Sequence, residues 1–298
     1  MRVAVTGANG LVGAEAVALL SRRHEVLALG RGPCRLPPGL FAWAAADLGD
    51  GRSTFEALRA FGAGAVLHAG AMTDVDGCER DPERAWAANV GGSEEVARAC
   101  RALSARLVAI STDYVFDGQT GPYGEDDLPN PRGVYARTKR AGEEAALLLA
   151  PDRAVARVAV VYSGRPGAKP TFATQVVEKL SRKEPVKAFS DQLVSPTLAR
   201  NAAEMTLELL LETDYQGVLH TSGATVLDRV EFARKVAGRF GLEGEIVPVR
   251  TAEASLPAPR PLRGGLRVER ARRLLRAQPL EIDAQLDRFF EEWARRAG

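Results

Sequence analysis

The sequence predicts an α/β protein with a doubly wound parallel sheet and a smaller lobe in its C-terminal half. Short apolar runs alternate with helical segments from residue 2 to about residue 162, and the first run ends in a glycine-rich turn. Strands that alternate with helices imply right-handed βαβ units, whose strands run parallel. The chain has 298 residues, 46% hydrophobic and 26% charged, which is enough for one large domain or for a large and a small one sharing a cleft.

The first half of the chain is predicted to contain six strands with helices between them. The predicted strands cover residues 2–6, 25–29, 41–46, 65–71, 106–111 and 154–162, and the predicted helices cover 15–23, 82–102 and 132–150. In open parallel sheets, ligands bind at the carboxyl ends of the strands. Gly7, Arg31, Ala69 and Thr112 all lie at such ends, so we expect them to line one crevice.

The regular alternation weakens after residue 163. Helices are predicted at 171–182, 198–211, 228–240, 268–275 and 282–296, extended segments at 185–189, 217–221 and 245–249, and a Pro-rich loop at 251–265. We therefore predict a dinucleotide-binding domain over residues 1–163 and a smaller substrate-binding lobe over residues 164–298. Some elements of this lobe are expected to return to the sheet.

Composition excludes several classes of function. The formal net charge of +2 gives no bias towards polyanions, so no nucleic acid partner is expected. No apolar run is long enough to span a membrane. Cys34, Cys78 and Cys100 show no CxxC spacing and no neighbouring histidine cluster, so neither a metal site nor a disulfide framework is expected. A first strand without a preceding signal peptide makes the cytoplasm the expected location.

The turn after the first strand predicts a dinucleotide site of the Rossmann type. It reads Gly7-Ala8-Asn9-Gly10-Leu11-Val12-Gly13 and lies between a strand and a helix. Gly7 permits a tight turn, Gly10 lets the backbone approach a pyrophosphate, and Gly13 lets the helix pack close to the strand. The amides at the helix start, including those of Leu11 and Val12, would face the phosphates. A glycine-rich turn without a ligand is the alternative.

The predicted cofactor site continues along the following strand ends. Asp47 and Leu48 follow the third strand, and Ala69, Gly70 and Ala71 end the fourth. His68 is predicted to be a packed strand residue.

Arg31 bears on which cofactor is bound. An acidic residue at the end of the second strand would bind the ribose 2′-OH of NAD, whereas an arginine suits a 2′-phosphate. Arg31 occupies this place and no acidic residue does. NADPH is therefore the predicted cofactor, with NADH as the second choice. Alternatively, Arg31 stacks on adenine or lies in solvent.

Tyr135 and Lys139 are the predicted catalytic pair of the next helix. Residues four apart share one helix face, so the phenol and the ammonium can point into the same cleft. A free phenol titrates near ~10, and a nearby cation lowers that pKa. Such a tyrosine can exchange a proton with a substrate oxygen. The alternative is a surface tyrosine and a solvated lysine on an amphipathic helix.

Together, the GxxGxxG turn, Thr112 after the fifth strand, and Tyr135 with Lys139 resemble the extended short-chain dehydrogenase/reductase family. Within it, the segments STDYVFDG (111–118) and PRGVYARTK (131–139) are similar to the dTDP-4-dehydrorhamnose reductase subfamily. Residues 69–76, the region of Asn89, and residues 195–197 and 260–261 are similar too. The resemblance covers nearly the whole chain.

The resemblance implies NAD(P)H-dependent reduction of the 4-keto group of a nucleotide-activated deoxysugar. Thr112 would hydrogen-bond the keto oxygen and Tyr135 would donate the proton. Lys139 would lower the pKa of Tyr135 and hold the nicotinamide ribose. The implied substrate-binding residues are Thr73, Asp113, Tyr114, Val115, Phe116, Ser195, Thr197 and Arg260. Arg260 would pair with the diphosphate, and a homodimer is a further expectation.

Two features leave alternatives open. Relatives in the subfamily often carry a tryptophan before the Val-Tyr pair of the sixth strand, where it packs against the sugar nucleotide. This chain has Val160 before Val161-Tyr162 instead, which leaves the identity of the substrate open but not the class of reaction. The segment 217–240 also resembles the regulatory beta subunit of methionine adenosyltransferase, which shares the fold but serves as a binding partner. Intact Thr112, Tyr135 and Lys139 favour the enzyme. A 4-epimerase or dehydratase is a third alternative, although dehydratases usually add an Asp-Glu pair beside the threonine.

Overall fold

The computed structural model describes residues 1–296 and contains thirteen strands within that range. In chain order these are β1 (Arg2–Thr6), β2 (Glu25–Gly30), β3 (Ala42–Ala45), β4 (Ala65–His68), β5 (Arg106–Thr112), β6 (Arg153–Val158), β7 (Val161–Tyr162), β8 (Val186–Phe189), β9 (Leu193–Val194), β10 (Thr197–Leu198), β11 (Gly217–His220), β12 (Leu227–Asp228) and β13 (Ile246–Val249). Seven of them form one parallel sheet in the order β11-β6-β5-β4-β1-β2-β3. The predicted α/β class with a Rossmann-type doubly wound sheet is therefore confirmed.

Eleven α-helices lie within residues 1–296, and some of them cover both faces of this sheet. They are α1 (Leu11–Leu20), α2 (Gly51–Phe61), α3 (Val75–Arg80), α4 (Pro82–Trp86), α5 (Gly92–Leu103), α6 (Val134–Leu149), α7 (Phe172–Ser181), α8 (Ala199–Leu211), α9 (Arg229–Arg239), α10 (Glu269–Leu274) and α11 (Ile282–Ala294). Apolar residues of α1 and α8 pack on one face of the sheet, and those of α2, α5 and α6 pack on the other. No helix within residues 1–296 is long and apolar enough to cross a bilayer.

The C-terminal half contributes both to the large sheet and to a separate core. A third apolar cluster draws its residues from Tyr162 to Trp293 and joins α7, α9 and α11. In contrast, β11 returns to the large sheet beside β6. The division at residue 163 stays a prediction, and residues 297 and 298 of the predicted lobe lie outside the described range.

Several predicted elements have different bounds in the structure. The first helix begins at Leu11 rather than residue 15, and α2 and α3 were not predicted. The predicted strand 154–162 is broken after Val158, and Val160 has a φ of 41°, which is strained for a β-branched residue.

The predicted helix 82–102 is interrupted by a π-helical turn, Ala87–Gly91, between α4 and α5. Within this turn, the Asn89 amide donates to the Thr138 hydroxyl at 3.0 Å, and its oxygen accepts the Met72 N–H at 2.7 Å. Such π turns often occur at functional sites. Here the turn ties α6 to the segment that follows β4.

Candidate active site

The glycine-rich turn brings three backbone segments into close contact. Gly7 has a φ of +65°, and a Cβ there would lie 2.6 Å from the Ala69 oxygen and the Gly70 backbone. A Cβ on Gly13 would lie 2.4 Å from the Gly7 oxygen. Only glycine fits these two places, so the start of α1 can lie directly at the carboxyl ends of β1 and β4. This is a cradle in which backbone N–H groups can meet a phosphate.

A cleft of about 660 Å³ opens beside this turn. Six residues of the predicted cofactor site line it: Gly7, Arg31, Asp47, Leu48, Gly70 and Ala71. The Arg31 side chain is exposed, and Arg84 lines the same cleft. The size of the cleft, its place at the strand ends and the glycine cradle fit a dinucleotide.

Asn9 acts on the loop that carries Arg31. Its side-chain amide donates to the Pro33 oxygen at 3.0 Å, and its side-chain oxygen accepts the Arg35 N–H at 2.9 Å. The predicted cofactor residue Asn9 thus holds the segment after β2 in place.

Lys139 lies in a buried environment on α6. Its side chain is 6% exposed, and Nζ donates to the Ile110 oxygen at 2.8 Å. Burial lowers the pKa of Lys139 to about 8, while the negative charge of Glu143 acts in the opposite direction. The lysine can therefore change its protonation state close to neutral pH.

Tyr135 is half-buried one turn before Lys139, and its pKa differs from the expectation. Burial raises the pKa of the phenol, and the hydrogen bond with Thr112 only partly opposes this rise. The lowering expected from Lys139 is therefore wrong for this structure, because the loss of hydration outweighs any effect of the ammonium. Tyr135 is a neutral phenol at physiological pH and has a proton to give.

Thr112 ends β5 and lies next to Tyr135. Its hydroxyl donates to Asp113 Oδ1 at 3.1 Å and accepts the Tyr114 N–H at 3.2 Å. The Tyr114 ring meets the Tyr135 ring edge-on, with centroids 5.7 Å apart. The structure thus brings the three predicted catalytic residues to one place at the carboxyl edge of the sheet.

An ion pair that the sequence analysis did not identify supports this group. Glu143 accepts from Arg157 Nε and Nη2, both at 2.8 Å, and both side chains are almost fully buried. Arg157 also lies over the Phe116 ring, 5.0 Å from its centroid. Glu143 follows Lys139 by four residues on α6, so the sequence indicates that the two share a helix face. The pairing of Glu143 with Arg157 of β6 depends on the fold and could not be predicted from the sequence.

His68 is a packed strand residue, as predicted. Its Nδ1 lies 2.7 Å from the Thr6 hydroxyl and its Nε2 lies 3.1 Å from the Ser93 hydroxyl. Burial lowers the pKa of His68 to about 3, so the ring is neutral at physiological pH.

Seven of the eight predicted substrate residues fall into two groups, and the eighth, Asp113, is 3% exposed beside Thr112. Thr73 is exposed at the cleft, and Tyr114 is partly exposed beside Tyr135. Arg260 is 12% exposed and pairs with Asp76 at 2.8 Å. The Arg260 guanidinium is already paired with this carboxylate, so a phosphate would have to share the guanidinium with Asp76.

Four predicted substrate contacts need correction. Val115 and Phe116 are at most 1% exposed and pack in a small core with Tyr123. Ser195 and Thr197 are fully buried, and their hydroxyls accept the N–H groups of Leu266 and Gly223. These four side chains offer no open surface to a substrate, and the Ser195 and Thr197 hydroxyls hold the backbone at Leu266 and Gly223 in place.

Two cations that the sequence analysis missed lie near the substrate side. Arg229 donates to Gln192 at 3.0 Å and lies over the Phe172 ring. Burial raises the pKa values of Asp113 and Tyr114, and the positive charge of Arg229 opposes part of this rise. Lys169 donates to the Thr73 hydroxyl at 3.3 Å. Both come from the C-terminal half, and only the fold brings them close to Thr73, Asp113 and Tyr114.

The fold and this site define a class: the chain is an oxidoreductase of the extended short-chain dehydrogenase/reductase type. The family described as RmlD substrate binding domain matches residues 1–295, and the chain belongs to this family.

Curated relatives agree with this family. The chain is 36% identical over 266 residues to a dTDP-4-dehydrorhamnose reductase of Mycobacterium tuberculosis, covering 87% of this chain and 82% of that protein. It is also 30% identical over 265 residues to methionine adenosyltransferase 2 subunit beta of Rattus norvegicus, covering 87% and 78%.

Solved structures show the same fold. A hypothetical dTDP-4-dehydrorhamnose reductase from Sulfolobus tokodaii superposes with a TM-score of 0.85 at 34% identity, covering 95% of this chain and 98% of that one. The Bacillus anthracis dTDP-4-dehydrorhamnose reductase in complex with NADP has a TM-score of 0.83 at 26% identity, covering 98% and 99%. MoeE5 in complex with UDP-glucose and NAD has a TM-score of 0.83 at 25% identity, covering 100% and 99%.

Proposed function

We propose that this chain reduces the 4-keto group of a nucleotide-activated deoxysugar with NADPH, and that dTDP-4-dehydrorhamnose is its substrate, giving dTDP-rhamnose. The observation that carries the proposal is the placement of the Thr112 and Tyr135 hydroxyls side by side at the carboxyl edge of the sheet, with Lys139 one helical turn away. The named activity and the NADP complex of the relatives support the same reaction.

The cofactor would lie across the strand ends. Backbone N–H groups of the turn from Gly7 to Gly13 would hold the pyrophosphate, and Arg31 would meet the 2′-phosphate. When bound, the nicotinamide supplies the hydride. NADH is the second choice, because only the 2′-phosphate contact separates the two cofactors.

The protein's own residues would handle the oxygen and the proton. Hydride addition builds negative charge on the keto oxygen, and donors fixed in advance stabilise that charge. Tyr135 is neutral and can give its proton to the oxygen as the charge develops. Lys139, with a pKa near neutrality, can then help to restore the proton on Tyr135. Tyr114 and Thr73 would contact the sugar nucleotide.

The proposal is tested by following the loss of NADPH absorbance with 4-keto deoxysugars attached to dTDP, UDP and GDP. Fastest turnover of the dTDP sugar is the expected result. Turnover of a different nucleotide sugar would keep the reaction and change the substrate, while failure to oxidise NADPH with any of them would overturn the reductase proposal. NADH, measured in parallel, should show a higher KM.

A non-catalytic dinucleotide-binding subunit is the second candidate, and the 30% identity to the methionine adenosyltransferase beta subunit favours it. This candidate predicts tight NADPH binding without turnover of any keto sugar. A different sugar-nucleotide epimerase or reductase would belong to the same class as the first proposal. The set of dTDP, UDP and GDP sugars distinguishes it from a reductase of dTDP-4-dehydrorhamnose.

A further inference from the structure

Asp113 lies directly beside Thr112, and the mechanism above gives its carboxyl no task. The side chain is 3% exposed. Oδ1 accepts the Thr112 hydroxyl at 3.1 Å. Oδ2 is buried without a hydrogen-bond partner among residues 1–296, and a Cβ on Gly264 would lie 3.6 Å from it. An acceptor buried in this way is unfavourable and calls for an explanation.

The hydrogens around Thr112 can be counted. A hydroxyl has one hydrogen to donate and two lone pairs that accept. One lone pair of Thr112 accepts the Tyr114 N–H at 3.2 Å. Thr112 also has a hydrogen bond with Tyr135, and this bond has to break when both hydroxyls donate to the substrate oxygen. An ionised Asp113 can only accept, so it takes the single hydrogen of Thr112 and leaves none for a substrate oxygen. A protonated Asp113 can instead donate to the second lone pair, which frees the Thr112 hydrogen.

We propose that Asp113 is a positioning residue that must be protonated for Thr112 to donate its hydrogen bond to the substrate keto oxygen. This inference rests on the proposed keto reduction. Asp113 itself forms and breaks no bond to the substrate. It sets the direction of one hydrogen bond at the reacting centre.

The surroundings of Asp113 allow both protonation states near neutral pH. Burial raises the pKa of Asp113 to about 6. The positive charge of Arg229, from the start of α9, opposes this rise, as do hydrogen bonds from Thr112 and from backbone N–H groups. The phenols of Tyr114 and Tyr135 also face the carboxyl, and burial keeps both neutral. The Gly264 backbone lies next to Oδ2.

The test compares Asp113→Asn with the unsubstituted chain in kcat/KM for the keto sugar between about pH 5.5 and 8.5. In the unsubstituted chain, kcat/KM should fall about tenfold for each pH unit above the pKa of Asp113, towards a floor about 10²–10³ lower, the usual loss for one oxyanion donor. The asparagine amide donates at every pH. The ratio of variant to unsubstituted chain should therefore rise by about tenfold or more between pH 6 and 7.5.

Thr112→Val supplies the matched control, because valine has a similar shape and no hydroxyl. If Asp113 acts through Thr112, the fall near pH 6 is absent in Thr112→Val, and adding Asp113→Asn to it changes nothing further. The idea is overturned by equal pH profiles for Asp113→Asn and the unsubstituted chain, or by Asp113→Asn as slow as Thr112→Val at every pH. Should Asp113→Asn fail to fold, a fall near pH 6 that persists in Thr112→Val also overturns it.

A titration without substrate separates this inference from the proposed function. The carboxyl carbon of Asp113, followed by NMR in the protein without substrate, should titrate well above the ordinary ~3.9, and Thr112→Val should raise the midpoint further by removing a donor to the ionised form. A midpoint near ~4 would overturn the inference whatever the enzyme assays show. Failure to oxidise NADPH with any keto sugar would overturn the proposed function instead.

Discussion

Replacing Lys139 with methionine should stabilise the protein near neutral pH while it removes the activity. Lys139 is buried, and its pKa is lowered from the ordinary 10.5 to about 8. Folding therefore opposes the protonated form. Methionine keeps the unbranched shape of the side chain and removes the buried charge.

The magnitude follows from the shift in pKa. A decrease from 10.5 to about 8 corresponds to about 3 kcal/mol of unfavourable free energy for the charged lysine below pH 8. The variant also loses the hydrogen bond from Nζ to the Ile110 oxygen, worth about 1 kcal/mol. The net expectation is a gain of about 2 kcal/mol in the free energy of unfolding near pH 7.

The gain in stability of Lys139→Met should decrease as the pH rises. Between about pH 8 and 10.5 the unfolded chain keeps a proton on Lys139 that the folded chain has lost, so the stability of the unsubstituted protein rises with pH. The advantage of the variant should therefore shrink above pH 8 and nearly vanish by about pH 9.5. Cys78 and Cys100, whose pKa values are raised by burial, act equally in both proteins and cancel in the comparison.

Urea unfolding of the two proteins in matched buffers from about pH 7 to 9.5 measures this difference. Lys187→Met is the control, because Lys187 is exposed on β8 and should not change the pH dependence. A Lys139→Met protein that is less stable near pH 7, or a difference that stays constant with pH, would refute the argument. The keto reduction should fall sharply in Lys139→Met and persist in Lys187→Met.

Three further substitutions test the other parts of the site. Tyr135→Phe keeps the ring and removes the proton, so turnover should fall by roughly 10²–10⁴ while NADPH binding persists; turnover close to that of the unsubstituted chain would contradict the assignment. Arg31→Ala should weaken NADPH by roughly 1.5–3 kcal/mol and change NADH little, and equal losses would show that Arg31 does not meet the 2′-phosphate. Arg260→Ala should raise the KM for the sugar nucleotide, less so at high salt, and leave the Kd of NADPH alone, with Arg263→Ala as the exposed control. An unchanged KM in Arg260→Ala would exclude that residue.

The sequence was sufficient for features that depend on local chain chemistry. The turn from Gly7 to Gly13 could be identified because glycine is required where backbones touch, and Tyr135 with Lys139 because helix geometry fixes which residues share a face. Helix α2 was missed because it opens with Gly51, has no side-chain cap hydrogen bond and buries only Thr54 and Leu58. Its stability comes from packing, which a local pattern does not reveal.

Burial explains why the pKa of Tyr135 was predicted in the wrong direction. The sequence shows one cation near Tyr135, but it does not show how much water the phenol loses on folding. In the structure the desolvation of the phenol dominates, and Thr112, not Lys139, provides the largest opposing effect. The same reasoning applies to Ser195 and Thr197, whose motif resembled a substrate contact but whose hydroxyls are used inside the protein.

The row of residues on α6 shows how a local pattern and a long-range contact combine in this site. Tyr135, Lys139 and Glu143 follow one another at intervals of four, so a phenol, an ammonium and a carboxylate lie along one helix face. Glu143 could not stay ionised in a buried position alone, and Arg157 from β6 provides the charge that lowers its pKa. That retained negative charge opposes the lowering of the Lys139 pKa. Arg157, a buried residue of β6, thereby affects whether Lys139 has a proton to pass towards Tyr135.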